Sequence, residues 1–329
     1  MQGILVQVPC NDKIEEQVNP LCLFLNFYSE YLVSTLIRLN FFKLNILNSL
    51  KYVLKELLEF LYIMKKLKGL KLEDYQHESD KAAFLSLEKV KAFDKAVDWV
   101  IKNTVEEVTN VQQTGSSICV NQDATPEFFN LVNDVAATVD VSNVPQVYTR
   151  WGYDIYITTD GDKHPKMIVN TGTVDLLTPA EQRFMIGHEF GHIKSNHLKY
   201  LLLCRYWSLY HSYIPGSTLL QIPLFYWSRM TDLTADRVGL LACQDINVAL
   251  RTMIKLAGAP ESLYDNLNID AFIEQAESFN ISKMGVMNKI VEKISVMDNA
   301  APWMVRRASE LLKWYKSGDY DAKIKKYGV

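Results

Sequence analysis

Cysteine is scarce in this 329-residue chain, where Cys10, Cys22, Cys119, Cys204 and Cys243 stand singly and no CxxC pair occurs. An odd and scattered set of this kind excludes a disulfide framework and points to a reducing compartment, with the cytoplasm as the expected location. A basic surplus is missing as well. The 35 Lys and Arg residues against 38 Asp and Glu leave a formal net charge of -3, so no global field holds nucleic acid, and nucleic acid is not expected as a partner. Met1 to Lys13 lacks the basic start, the apolar run and the small-residue site of an export signal, so no cleaved signal is expected. Long charge-free runs are also absent from the apolar stretch between Leu21 and Lys71, which Glu30, Arg38, Lys43, Lys51, Lys55, Glu56 and Glu59 interrupt. No segment there reaches the roughly 18 residues of a spanning helix. Internal repeats and low-complexity tracts are not apparent. What remains is an ordinary globular composition, 48% hydrophobic and 22% charged, with length enough for one large domain or two smaller ones.

Three textures divide the chain. Residues 1–71 form an apolar and basic segment expected to be helical. Leu47, Leu50, Leu54, Leu57, Leu58, Leu61 and Met64 recur there at helical spacing. From Arg38 to Lys71 the basic residues Arg38, Lys43, Lys51, Lys55, Lys65, Lys66, Lys68 and Lys71 face only Glu56 and Glu59. Such amphipathic helices either pack on the main domain with their lysines in water or lie on an anionic membrane surface, giving a peripheral membrane contact. Residues 72–329 are expected to form the second domain. It opens with helical segments at Lys81 to Lys102, Thr104 to Gln113 and Glu127 to Val139. The period then changes: Gln146 to Trp151, Tyr153 to Thr158 and Lys166 to Asn170 read as short strands, the last two joined across the Asp160-Gly161-Asp162 turn. Helices return at Pro179 and fill the C-terminal part, where Met304 to Lys316 is the clearest amphipathic segment. The fold class is therefore α+β and mainly helical.

Chemistry concentrates at His188-Glu189-Phe190-Gly191-His192, an HExxH sequence. Thr178 as N-cap, Pro179 at the first helical position and Glu181 three residues after the cap announce a helix start. Residues four apart share one helix face, so His188 and His192 can aim imidazole nitrogens at one point. Two neutral imidazoles suit a borderline-soft divalent ion such as Zn2+, one per chain. Glu189 lies beside them, placed to handle protons rather than to bind metal. A catalytic zinc needs a third protein ligand from elsewhere. Asp232 and Asp236 stand one turn apart on an expected helix, with Ala235 and Gly239 small enough to admit a close neighbour. One carboxylate could bind metal while the other fixes a histidine tautomer. His77, His164, His197 and His211 lack such spacing and are expected to be surface or satisfied core residues.

The lead-in Leu176 to Glu181, the core Gly187 to Ile193 and the block Ser228-Arg229 to Ala235-Asp236 together resemble the HtpX-like and CAAX-prenyl-protease-like zinc metallopeptidases, metallopeptidase family forty-eight of the gluzincin group. The resemblance spans roughly Leu72 to Trp314. It implies a zincin-like domain whose HExxH helix packs on a small mixed sheet, with an edge strand that holds an extended polypeptide substrate. It implies His188, His192 and Asp232 as metal ligands, Glu189 as general base and then acid, and Asp236 as partner of a ligating histidine. Arg307 matches the family's arginine and is expected to contact substrate or the transition state. Three positions depart from the family. Asp232 stands where Glu is usual and is one methylene shorter, so its helix must approach more closely. The Asn-Ala of the substrate strand is replaced in Tyr153 to Thr158, and Ala301 takes the place of a histidine. Tyr206 to Ser228, free of charge but punctuated by Pro215, Gly216 and Pro223, is expected to be a looped lid or groove wall. Two functions fit: a zinc-dependent endopeptidase, or a metal-binding pseudo-peptidase that holds peptides or partners without turnover.

Overall fold

The computed structural model describes residues 64–88, 98, 115–161, 164–213, 217–278 and 303–329. The chain enters its C-terminal unit, Met64–Val329, as an extended segment. Leu67 forms an antiparallel bridge with Gly328, and its amide donates to the Thr138 carbonyl at 2.8 Å. Leu67 and Leu70 are buried in the main core, so this unit begins ahead of the boundary expected at Leu72. Lys65, Lys66, Lys68 and Lys71 accordingly lie on extended chain and not on a helix face. The rest of the expected N-terminal helices falls outside the described residues, as does nearly all of 89–114.

Helix α1 (Glu78–Leu87) starts where the His77 ring accepts the Ser79 amide at 3.1 Å, an N-cap that places His77 among the satisfied histidines. Helix α2 (Pro126–Thr138) follows the short strand β1 (Ile118–Cys119). Strands β2 (Gln146–Arg150), β3 (Ile157–Asp160) and β4 (Lys166–Asn170) complete a mixed sheet in the order β1-β2-β4-β3. The β2 and β4 strands run parallel, while β1–β2 and β3–β4 are antiparallel. The β3–β4 connection begins at Gly161, whose φ of +99° suits a residue without a side chain. The expected strand from Tyr153 starts later, at Ile157. Its first residues are a loop pressed on the backbone of Gly172, where a Cβ would meet the Tyr153 carbonyl oxygen at 2.2 Å.

Helix α3 (Pro179–Lys194) carries the HExxH sequence and is fixed at its start as the sequence indicated. Glu181 accepts the Thr178 amide at 2.8 Å, and the Thr178 hydroxyl accepts the Glu181 amide at 3.4 Å. After α4 (Leu198–Arg205), helix α5 (Ser217–Cys243) runs 27 residues along α3. Helix α6 (Ile246–Leu256) then sends Lys255 to the buried Glu181 at 2.8 Å. Helices α7 (Ile269–Ser278), α8 (Met304–Lys316) and α9 (Asp319–Tyr327) close the domain.

The reading of 217–228 as a loop is corrected by α5, which continues through Pro223. An interior proline costs about 3 kcal/mol. Against it, Leu220, Leu224, Trp227 and Met230 recur at helical spacing and are all buried in a second core cluster with Leu87 and Leu203. At roughly 1.5 to 3 kcal/mol each, burying these side chains outweighs the proline. Among the described residues no helix is long and apolar enough to cross a membrane.

The contact that matters most for the site is between α3 and α5. A Cβ at Gly187 would lie 2.3 Å from the Ala242 Cβ, and one at Gly191 would lie 2.8 Å from the Ala235 Cα. A Cβ at Gly239 would meet the Phe184 ring and carbonyl at 2.9 Å. Small residues on both helices therefore bring the two backbones closer than ordinary side chains allow. The short Asp232 side chain on α5 thereby comes within 3.4 Å of His192 on α3.

Candidate metal centre

His188 and His192 lie one turn apart on α3, both buried, and their Nε2 atoms are 3.1 Å apart. Asp232 on α5 faces them. Its Oδ1 stands 3.4 Å from His192 Nε2 and 3.8 Å from His188 Nε2. Four ligands at about 2.0 to 2.1 Å around a tetrahedral zinc are about 3.3 Å from one another, so this triangle has the size of one face of such a shell. Two imidazole nitrogens and one carboxylate oxygen are the donor set of a catalytic zinc site, and the residues fit the ion in both chemistry and spacing.

Each imidazole is oriented from behind. His188 Nδ1 lies 2.9 Å from Asp236 Oδ1, one turn along α5 from Asp232. Arg307 on α8 holds the same carboxylate through two bonds, Nε to Oδ2 at 2.7 Å and Nη2 to Oδ1 at 2.5 Å. Burial works to raise the Asp236 carboxyl, yet the Arg307 charge and its hydrogen bonds, with His188, bring it down to about 2. Asp236 is thus an anion on the far side of His188, where Arg307 Nη2 also lies 3.3 Å from Nδ1, and a carboxylate so placed can accept Nδ1–H and leave Nε2 to a metal ion. Arg307 was expected at the substrate. Its Nε and Nη2 are occupied by Asp236, while Nη1 lies 3.6 Å from Met304 Sδ and the residue also lines the cavity.

His192 is backed differently. Its Nδ1 lies 3.2 Å from His197 Nδ1, and His197 Nε2 lies 3.3 Å from Asp80 Oδ2 on α1. His197 is a buried, satisfied histidine, as expected, and what satisfies it is His192 and an aspartate. Burial lowers the His197 pKa despite the opposing pull of Asp80. Burial also disfavours charge on His192, but the bond to Asp232 and the nearby Glu189 more than reverse this and raise it. The Asp232 carboxyl is held below its ordinary value, since the His192 bond and the Arg307 charge overcome its burial.

Glu189 points from the same turn of α3 and accepts a hydrogen bond from the Thr159 hydroxyl of β3 at 2.8 Å. A cavity of about 670 Å³ opens over the group. Ile155 to Thr159 form one side of it, and Phe225, Ser228 and Arg229 of α5 another, so the charge-free stretch does line a groove although it is helical. Thr159 and Asp80 were not singled out from the sequence, and His197 was read only as a surface or satisfied core residue. A histidine five residues after His192 was the only local signal for any of them. Ala301 lies outside the described residues.

The model of peptidase family M48 matches residues 132–315. The chain is also 27% identical over 266 residues to the plastoglobule-localized metallopeptidase 48, chloroplastic, of Arabidopsis thaliana. That alignment covers 79% of this chain and 77% of the relative. No solved structure matches the chain.

Proposed function

Because the chain belongs to peptidase family M48, we propose that it is a zinc-dependent endopeptidase in which His188, His192 and Asp232 hold one metal ion and Glu189 moves the protons. The observation that carries this reading is the metal-sized triangle of His188 Nε2, His192 Nε2 and Asp232 Oδ1 with Glu189 beside it. A bound zinc supplies Lewis acidity, lowering the pKa of water toward about 7 and polarising the scissile carbonyl. The remaining work falls to the chain. Glu189 takes the proton of the attacking water and delivers it to the leaving amine. The Thr159 hydroxyl restrains one carboxylate oxygen, Oε2, and leaves the other for that transfer. Asp236 and Arg307 keep His188 in its ligating tautomer. Among the described strands β3 lies at the edge of the sheet, and its cavity-lining backbone is suited to pair with an extended polypeptide.

The test uses an unfolded protein as substrate. Wild type should cleave it, lose activity to a chelator and regain it with zinc, while Glu189→Gln should bind zinc normally and cleave at least about a hundredfold more slowly. Undiminished cleavage by Glu189→Gln, with contaminants excluded, would remove Glu189 from this role. Zinc-loaded wild type that never cleaves would instead favour the pseudo-peptidase reading, for which the shorter Asp232 is the motive.

Peripheral membrane association belongs to the proposal too. The amphipathic sequence pattern of residues 38–63, with Arg38, Lys43, Lys51 and Lys55, supports it, and the Arabidopsis relative is named for plastoglobules. Full-length protein should bind anionic vesicles more tightly than a chain starting at Met64, and equal binding would dispose of the idea.

A further inference from the structure

We infer that His197 and Asp80 form a positioning relay that fixes His192 as an Nε2 metal ligand. The inference rests on the metal-site reading above and not on turnover. Its foundation is the way α3 ends. The His197 amide donates to the His192 carbonyl at 3.1 Å and the Asn196 amide to the Ile193 carbonyl at 3.2 Å, with Asn196 in the left-handed region at φ +55°. This is a Schellman turn, and asparagine is among the few residues that enter that conformation readily. The turn folds the chain back so that His197 sits beneath the imidazole it follows by five positions.

The hydrogen-bond directions then follow from one another. Once Nε2, which lies 3.4 Å from Asp232 Oδ1, gives its lone pair to a metal ion, the His192 proton is on Nδ1 and is donated to His197 Nδ1 at 3.2 Å. That makes His197 Nδ1 an acceptor and leaves its proton on Nε2, facing Asp80 Oδ2 at 3.3 Å. Asp80 is 1% exposed and is itself anchored by the Thr234 hydroxyl at 2.8 Å and by Gln76 Nε2 at 3.3 Å. Trp227 stands at 90° to the His197 ring, with centroids 5.7 Å apart, and fixes its plane. The two ligand histidines are therefore served unequally: His188 meets a carboxylate directly, whereas His192 reaches one only through a second imidazole.

The experiment measures zinc affinity of the full chain by competition with a chromogenic chelator, together with the visible spectrum of the cobalt-loaded protein and the melting temperature without metal. His197→Leu keeps bulk and removes both bonds, and should weaken zinc binding about 10- to 100-fold and alter the cobalt bands. His197→Asn keeps an acceptor near the Nδ1 position and should recover much of that loss. Asp80→Asn should weaken zinc several-fold, and combining it with His197→Leu should add little. Leu87→Ala perturbs the neighbouring core without touching any hydrogen bond of the relay and should leave zinc affinity within about twofold of wild type. Should His197→Leu not fold, Asp80→Asn and His197→Asn carry the comparison. Wild-type zinc affinity in folded His197→Leu, or in Asp80→Asn when His197→Leu does not fold, overturns the relay. So do losses that follow melting temperature equally in Leu87→Ala and His197→Asn. Because no substrate is used, failure of the proposed catalysis leaves this test standing.

Discussion

Replacing Gly191 with alanine tests whether the separation of α3 and α5 sets metal binding. The new methyl would lie 2.8 Å from the Ala235 Cα and 3.1 Å from the Val238 Cβ. Carbon atoms ordinarily rest about 3.5 to 4.0 Å apart, so the helices must part there by roughly 0.5 to 1 Å. A metal ligand tolerates about 0.2 Å. Asp232 lies less than one helical turn from Ala235, and the displacement passes directly to its carboxylate. Zinc affinity should therefore fall at least about tenfold. Stability should change little by comparison. Overpacking costs about 1 to 3 kcal/mol, but removing a mid-helix glycine returns about 1 kcal/mol. A second substitution sharpens the test. Asp232→Glu adds a methylene, about 1.5 Å of reach, and should restore zinc binding in the Gly191→Ala background more than it improves the wild type. Chelator competition gives the affinities and thermal unfolding gives the stabilities. Wild-type zinc affinity in folded Gly191→Ala, or an equal effect of Asp232→Glu in both backgrounds, refutes the reasoning.

Two further predictions concern stability. Lys255→Met leaves the fully buried Glu181 without its ammonium partner, and thermal unfolding should register a loss of about 3 to 5 kcal/mol, partly recovered when Glu181→Gln is added. The Glu310 carboxyl is drawn down from 4.5 to about 2, first by its bond to His77 and then, against its burial, by Lys313. A depressed carboxylate stabilises the fold above its unfolded pKa, and this contribution is lost as pH falls from about 4.5 through about 2. Partial exposure reduces it to about 1 to 2 kcal/mol. Urea unfolding should show Glu310→Gln less stable than wild type at pH 6, with the difference shrinking toward zero near pH 2.

Much of the site was legible because its parts are local or share one spacing. The capping box from Thr178 to Glu181 marks the start of α3, and the i, i+4 pairs His188/His192 and Asp232/Asp236 each define a helix face. Ala235 and Gly239 signalled the close approach, although Gly187 and Gly191 supply the opposing half of it. What could not be read depends on chain segments that only folding joins. Asp80 meets His197 from a different helix, and Thr159 reaches Glu189 from β3. Neither pair leaves a periodic trace. The helical state of 217–228 was obscured because Gly216 and Pro223 are strong local breakers, whereas the burial of Leu224 and Trp227 that overrides them is a tertiary effect.

X-ray absorption at the zinc edge on the zinc-loaded chain, compared with Asp232→Ala, tests the central claim most directly. The account predicts one zinc per chain, bound by two imidazole nitrogens and a carboxylate oxygen at about 2.0 to 2.2 Å, with the carboxylate contribution gone in the variant. A shell that is the same in both proteins would contradict it.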